Sequence, residues 1–276
     1  MFSQNWQLKL RDLIEPVVLR WGKNHHKGLK KRQVLDNFSR QRIDEKRQGD
    51  GTDMFSHFCR EKNDTGDYYS HQEITDHILF LLFAAHDTTT SALTMAIQLL
   101  AAHQDWQTEL RDTIGRIETD IPTFDQLGRN IPLLGYTFKE VLRLYPPMPN
   151  LIRRTIKPCE IGGYEVLAHT MMATSISANH HLPEYWHEPF KFDPMRFSES
   201  RAEHKQHKFL WAPFGGGGHK CIGLHFADML FKCVLLNLLK THRVQFADSK
   251  QASGKILYVP FTRPKDNLPL VLISER

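Results

Sequence analysis

Apolar residues recur at Trp6, Leu10, Leu13, Val17 and Trp21, three or four positions apart, which predicts an amphipathic helix near the start of the chain. The same period continues to about residue 60, broken by polar joints, and the basic stretch KNHHKGLKKR (23–32) reads as a solvated helix junction. REKNDTGDYYS (60–70) gathers turn residues and predicts a loop. Ser70 followed by Glu73 has the spacing of a capping box, and from there to His103 neither proline nor glycine interrupts the helical period. At 1.5 Å per residue such a helix is about 45 Å long, enough to cross a domain. Residues 104–117 predict a second helix. A third begins after Pro132 and stops at YPPMP (145–149), because proline lacks the backbone donor and forces the preceding residue out of helical geometry.

The period then shortens. CEIGGYEVLAHTMMATSISA (159–178) alternates apolar and polar positions around Gly162 and Gly163, which predicts a β-hairpin. LPEYWHEPFKFDPMRF (182–197), aromatic and punctuated by proline, predicts an irregular but packed meander. After FGGGGHKCIG (214–223), residues 222–242 predict a helix, and KILYVPFTRPKDNLPLVLIS (255–274) closes with short strands. No repeat and no long linker divides the chain, so the pattern predicts one mainly α domain with small β-sheets, an α+β class, over residues 1–276.

Composition narrows the function. A chain of 276 residues with 41% hydrophobic content can bury a sizeable core. Its formal charge of +5 favours an acidic protein partner, an anionic cofactor or a membrane surface. Nucleic acid is not expected: zinc-finger spacing and ribonucleoprotein aromatics are missing, and the basic run has no interleaved aromatics. Cys59, Cys159, Cys221 and Cys233 show no paired spacing, which predicts a reducing, cytoplasmic setting. The first residues, MFSQNWQLKLRDLIEPVVLRWG, lack the layout of a signal peptide. The longest apolar run, ILFLLFAA (78–85), is shorter than the roughly 20 residues of a spanning helix, so no transmembrane segment is expected.

Four stretches carry chemistry. In FAAHDTTTSAL (83–93), Asp87 and three threonines interrupt the apolar surface of the long helix. A hydroxyl at Thr88 can bond the carbonyl of Ala84, bend the helix and open a groove where Asp87 relays protons; satisfied helix polars are the other reading. In KEVLRLYPP, Glu140 and Arg143 share a helical face and can pair, and Arg196 in DPMRF is a candidate second guanidinium for that carboxylate. In LIRRT, Arg153 and Arg154 face opposite sides of an extended segment, so one can point at an anionic ligand, or both can flank a strand in solvent. The glycine loop fails the register of a phosphate-binding loop, where glycine precedes lysine and Ser or Thr follows, and of the dinucleotide fingerprint. Structural zinc is disfavoured because His219, Cys221 and His225 lack a nearby cysteine pair. What remains is a thiolate at a helix start, either bound to a soft metal or acting as a nucleophile with His219 as base.

Taken in order and spacing, these stretches resemble the haem-thiolate cytochrome P450 monooxygenases. AAHDTT (84–89) is similar to the oxygen-activation motif, EVLR (140–143) to the E-x-x-R pair, FDPMRF (192–197) to the arginine-bearing meander, and FGGGGHKCIG to the loop F-x-x-G-x-[RH]-x-C-x-G. The resemblance covers essentially the whole chain and implies the C-terminal part of that fold, with a long central helix and a helix after the ligand loop. The N-terminal helices and any membrane anchor are expected to be absent from it. It implies haem b with Cys221 as axial thiolate, Phe214, Gly215 and Gly223 forming its loop, and His219 and Arg153 meeting the propionates. It further implies proton delivery by Thr88 and Asp87, and a structural triad of Glu140, Arg143 and Arg196. Ala85 stands where the family usually has glycine, and His219 where arginine is commoner, as in sterol demethylases.

The implied function is insertion of one atom of dioxygen into a lipophilic small molecule, with electrons from a ferredoxin- or flavoprotein-type donor. Lys205, Lys208, Lys220 and Lys232, gathered in sequence around the loop, are the candidate docking residues. The alternatives are an inactive haem-binding fragment and a haem-thiolate isomerase or peroxygenase; the latter does not need Asp87 and Thr88.

Overall fold

A computed structural model describes residues 25–117, 122–248, 255–265 and 268–274, so the expected helix carrying Trp6 to Trp21 lies outside the described residues. The chain divides between Ala84 and Ala85 into two compact units.

The first unit holds α1 (His25–Gln48), α2 (Met54–Arg60) and the beginning of α3 (His71–Ala102). From His25 onward the basic stretch is continuous helix and not a junction. Its Lys, Arg and Leu residues are good helix formers, and Gly28 adds only a local cost there. Asp53 caps α2, accepting from Ser56 N at 3.1 Å and from Lys46 Nζ at 2.8 Å. The Lys46 bond first, and then those from the Ser56 hydroxyl and amide, hold its carboxyl well below the usual carboxylate range. Ile43, Cys59 and Ile74 form the buried centre of this unit. Ser70 and Glu73 make the reciprocal capping box: Glu73 N donates to Ser70 Oγ at 3.2 Å and Ser70 N to Glu73 Oε2 at 2.9 Å.

The second unit begins within α3 and continues through α4 (Gln104–Gly115), α5 (Phe124–Asn130) and α6 (Pro132–Leu144). The short α5 was not expected; a Thr123–Gln126 capping box starts it. Proline opens α6, where its missing donor costs nothing, and the helix stops before Tyr145.

The expected hairpin over 159–178 divides into two pairings. Strands β2 (Cys159–Ile161) and β3 (Tyr164–Val166) make a tight hairpin on Gly162 and Gly163, whose φ values of 58° and 84° suit a primed turn. Strand β4 (Met171–Ser175) instead runs antiparallel to β1 (Asn150–Arg154), with Ile152 opposite Ala173. That partner is distant in sequence, and local alternation carries no trace of it.

A single turn, α7 (Ile176–Asn179), leads into the meander, which is irregular apart from the 3-10 turn Pro194–Phe197. After the glycine loop come α8 (Leu224–Thr241) and β5 (His242–Phe246). Strand β5 pairs with β8 (Leu270–Ser274), and β6 (Ile256–Leu257) with β7 (Arg263–Pro264). The described residues are therefore mainly helical with small two-stranded sheets, an α+β arrangement.

The core of the second unit is built from one face each of α3, α4, α6 and α8, with Met95, Leu100, Leu110, Leu134, Val141, Phe231 and Leu235 buried. Each fully buried Leu or Phe contributes about 1.5–3 kcal/mol. Among the described residues α3 is the one helix whose length and apolar character would let it cross a membrane. Its second half spends Met95, Ala96, Leu99 and Leu100 on the protein core.

Polar ties fix these helices in register. Buried Gln107 on α4 donates to Leu100 O and Val244 O, both at 2.9 Å, and accepts from Val244 N at 2.7 Å. Thr262 donates to Pro146 O at 2.6 Å and its carbonyl accepts from Ser91 Oγ at 2.5 Å, so it ties the exit of α6 to α3.

Candidate functional site

Glu140 and Arg143 lie three residues apart on α6 and both are completely buried. Arg143 donates to the two oxygens of Glu140 through Nε at 2.7 Å and Nη2 at 2.9 Å, the bidentate geometry that a guanidinium favours. Arg196, also completely buried, donates from Nε to Glu140 Oε1 at 3.3 Å, and Asp193 N donates to the same oxygen at 2.9 Å. The remaining guanidinium donors are spent on the meander and the segments that flank it. Arg143 reaches the carbonyls of His180, Pro189 and Lys191, and Arg196 those of His187, Glu188 and Lys191. Arg196 also pairs with Glu203 at 3.1 Å. An irregular segment cannot satisfy its backbone acceptors by a ladder, and here two buried arginines satisfy them.

The glycine loop is anchored to the same helix. Trp211 Nε1 donates to Lys139 O at 3.1 Å, and Phe214 packs its ring against Phe138 and Trp211. Within the loop, Gly215 N donates to Ala212 O, and Cys221 N donates to Phe214 O at 2.9 Å, closing the segment onto its own start.

Gly215 and Gly217 have φ values of 69° and 67°, a region costly for any residue with a side chain. Gly216 meets a different constraint, since a Cβ there would lie 2.8 Å from the Phe209 ring. A Cβ on Gly223 would come to rest 3.7 Å from Cys221 Sγ. Gly218 faces open space, so nothing steric demands it.

These devices present Cys221 as an exposed thiol, three residues before the first residue of α8. Ile222, next in the chain, and Phe226, in the first turn of α8, are 84% and 56% exposed, so the helix start after the cysteine presents apolar surface. His219 closes the 3-10 turn Gly217–His219 and is exposed. Strand β1 passes the loop: Leu151 Cδ1 lies 3.4 Å from the position a Cβ on Gly215 would take. Arg153, two residues along that strand, is exposed, and its Nη1 donates to Ile152 O at 2.8 Å. Arg154 donates to His169 O at 3.2 Å.

Asp87 and Thr88 are half-buried on α3, whose following turns enter the core shared with α6 and α8. Asp87 Oδ1 is bonded to His86 Nδ1 at 2.8 Å. Among the lysines expected near the loop, Lys205, Lys208 and Lys220 are exposed, but Lys232 is 7% exposed and bonded to Asp228 at 2.7 Å. Lys232 is therefore part of the packing of α8 and leaves the docking set. It falls on the core-facing side of the helix, where its stem packs and Asp228, four residues earlier, takes its charge.

Sequence reasoning missed His180, which is fully buried between α6 and the loop. Nothing local in SANHHL distinguishes it from exposed histidines.

The donor set limits what can be held. Among the described residues no group of three or more His, Cys, Asp or Glu side chains could enclose a metal ion. A lone sulfur on a rigid loop with apolar flanks suits a metal whose other ligands arrive on a flat macrocycle. Exposed cationic or titratable side chains at His219 and Arg153 suit the acidic edge of such a group. The residues fit haem.

A scan of protein families matches residues 1–265 to the family described as cytochrome P450. The chain belongs to the cytochrome P450 family. A Mycobacterium tuberculosis protein named cytochrome P450 136 is 36% identical over 249 residues, 89% of this chain and 50% of that protein. Cyclooctat-9-en-7-ol 5-monooxygenase of Streptomyces melanosporofaciens is 38% identical over 198 residues, 70% of this chain and 41% of its own. A solved cyanobacterial cytochrome P450 with retinoic acid bound superposes with a TM-score of 0.84 at 29% identity, covering 91% of this chain and 58% of that one. The cytochrome P450 fold expected from the sequence is thus the fold observed, and the family is one of haem oxidoreductases that includes monooxygenases. The chain spans about half the length of the curated relatives it matches.

The buried charge cluster gives a direct expectation. Glu140→Gln removes the carboxylate that two buried guanidiniums share, and should destabilise the fold by about 3–5 kcal/mol. Chemical denaturation followed by tryptophan fluorescence reads this, since Trp186 lies under Arg143. A change below about 1 kcal/mol would mean the cluster is not what holds the meander.

Proposed function

We propose that this chain carries the haem-binding and oxygen-activating apparatus of a cytochrome P450 monooxygenase acting on a lipophilic small molecule. The observation that carries the reading is the exposed Cys221 thiol on a loop that glycine turns and backbone bonds close onto its own start. When bound, haem supplies dioxygen activation, and the net reaction places one oxygen atom in a substrate C–H bond while two electrons and two protons reduce the other to water.

Each side chain then has a task. Cys221 would supply the sulfur that holds the haem, and Phe214, Gly215 and Gly223 would shape its seat. His219 and Arg153 would neutralise the propionates. Glu140, Arg143 and Arg196 brace the segment from which the loop departs. Thr88 passes protons at its hydroxyl, and Asp87, oriented by His86, resupplies them from solvent. That task favours a monooxygenase over a haem-thiolate isomerase or peroxygenase.

Cyclooctat-9-en-7-ol and retinoic acid, the compounds named with two of the relatives, are both lipophilic, which supports the substrate class. The electron donor is an acidic ferredoxin- or flavoprotein-type partner meeting Lys205, Lys208 and Lys220. Four free thiols suit a reducing, cytoplasmic setting.

Three outcomes test the reading. Reduced, haem-loaded protein under carbon monoxide should show the strongly red-shifted absorption of thiolate ligation, and Cys221→Ala should abolish it; an unchanged spectrum would refute the ligand assignment. Thr88→Ala should slow product formation roughly a hundredfold while hydrogen peroxide release rises, and unaltered coupling would remove Thr88 from proton delivery. Electron transfer from the donor should slow steeply with added salt; a rate insensitive to ionic strength would exclude docking on the lysines.

A further inference from the structure

His180 stands between the buried charge cluster on α6 and the base of the cysteine loop. Its ring is fully buried, with Nδ1 3.0 Å from Arg143 O and Nε2 3.1 Å from the backbone nitrogen of Ala212. A carbonyl only accepts, so Nδ1 carries the proton. A backbone amide only donates, so Nε2 is bare. The two partners therefore select one neutral tautomer and exclude the other and the imidazolium.

Arg143 grips the residue a second time, since its Nη1 donates to His180 O at 2.8 Å. On the far side, Ala212 O takes the amide of Gly215, and Phe214 O takes the amide of Cys221. An unbroken path of short hydrogen bonds and a few backbone links thus runs from the Glu140 carboxylate through Arg143, His180 and Ala212 to the cysteine.

We propose that His180 is a positioning residue for Cys221, a tautomer-locked strut that transmits the position of the last turn of α6 to the base of the cysteine loop. This rests on reading Cys221 as the haem ligand. The strut explains how a loop of glycines, with little side-chain packing of its own, holds one sulfur in a fixed place. Water cannot replace the ring without reopening the core, and an apolar side chain would leave the Ala212 amide without its acceptor.

The charged and titratable groups acting on the ring are Arg143 from α6 and the neighbouring His181, which in turn feels Glu140; the segment Leu210–Phe214 contributes none. Burial is the main force pushing His180 down to about 3; the Arg143 charge adds to it, and the bond to Arg143 O opposes it. A ring that is neutral when folded and protonates near its ordinary value when unfolded binds more protons in the unfolded chain. Its contribution is complete above about pH 6.5 and is lost as pH falls toward about 3.

The test begins with the unmodified chain. Nitrogen-15 NMR of the His180 ring should show Nδ1 protonated and Nε2 unprotonated from pH 7 down to pH 5. An Nε2–H tautomer, or an imidazolium at pH 6, would overturn the proposal without any variant. In His180→Phe, amide exchange at Ala212, Gly215 and Cys221 should quicken about tenfold, beyond any change in global stability. His180→Gln, whose carboxamide keeps a donor and an acceptor, should restore part of that protection. With haem and carbon monoxide, the fraction showing the thiolate absorption should fall in the Phe variant and recover in the Gln variant.

Unchanged exchange and an unchanged spectrum in His180→Phe would refute the strut. Absence of the thiolate absorption in the unmodified chain would instead refute the Cys221 reading, leaving the exchange and tautomer results to judge His180 on their own.

Discussion

A carboxylate with no solvent contact has to find its compensation inside the protein, and Glu140 finds it in two guanidiniums and one backbone amide. The consequence extends well beyond a pair of charges. With Arg143 committed to both oxygens of that carboxylate and Arg196 to one of them, the two guanidiniums turn their remaining donors to carbonyls of an irregular segment that has no strand partner. Desolvating these groups is expensive, so the arrangement holds only while every member is present. That all-or-none character is what makes an unladdered meander rigid. The loop that follows inherits its starting point from it.

The cysteine loop solves a different problem, which is to place one sulfur without burying it. Trp211, Phe214 and His180 hold the entry of the loop against α6, and the bond from Cys221 N to Phe214 O returns the chain to that entry. Two glycines supply turns in the left-handed region and a third lets Phe209 come close. Their first task is therefore backbone geometry; the clearance they leave around Cys221 follows from it.

Much of this was legible in the sequence where the physics is local. The E-x-x-R spacing puts Glu140 and Arg143 on one helical face whatever the fold, and the Ser70–Glu73 box and YPPMP mark helix ends by backbone chemistry alone. The cytochrome P450 fold was legible because several such signals stand in a fixed order. What escaped depends on partners far away in the chain. Strand β4 alternates like the second arm of a hairpin with β3, yet its ladder is with β1. Lys232 looks like a surface lysine until the burial of its helix face is known. His180 has no local signature at all, because its role is defined by a carbonyl 37 residues before it and an amide 32 residues after it.

The proposed chemistry thus depends on a chain of positions that starts at a buried carboxylate and ends at an exposed thiol. Iron-edge X-ray absorption of the haem-loaded chain tests that end point most directly. The account predicts one sulfur scatterer at bonding distance from iron in the unmodified protein and its loss in Cys221→Ala. A shell of nitrogen and oxygen alone in the unmodified protein, or a sulfur that survives the substitution, would contradict it.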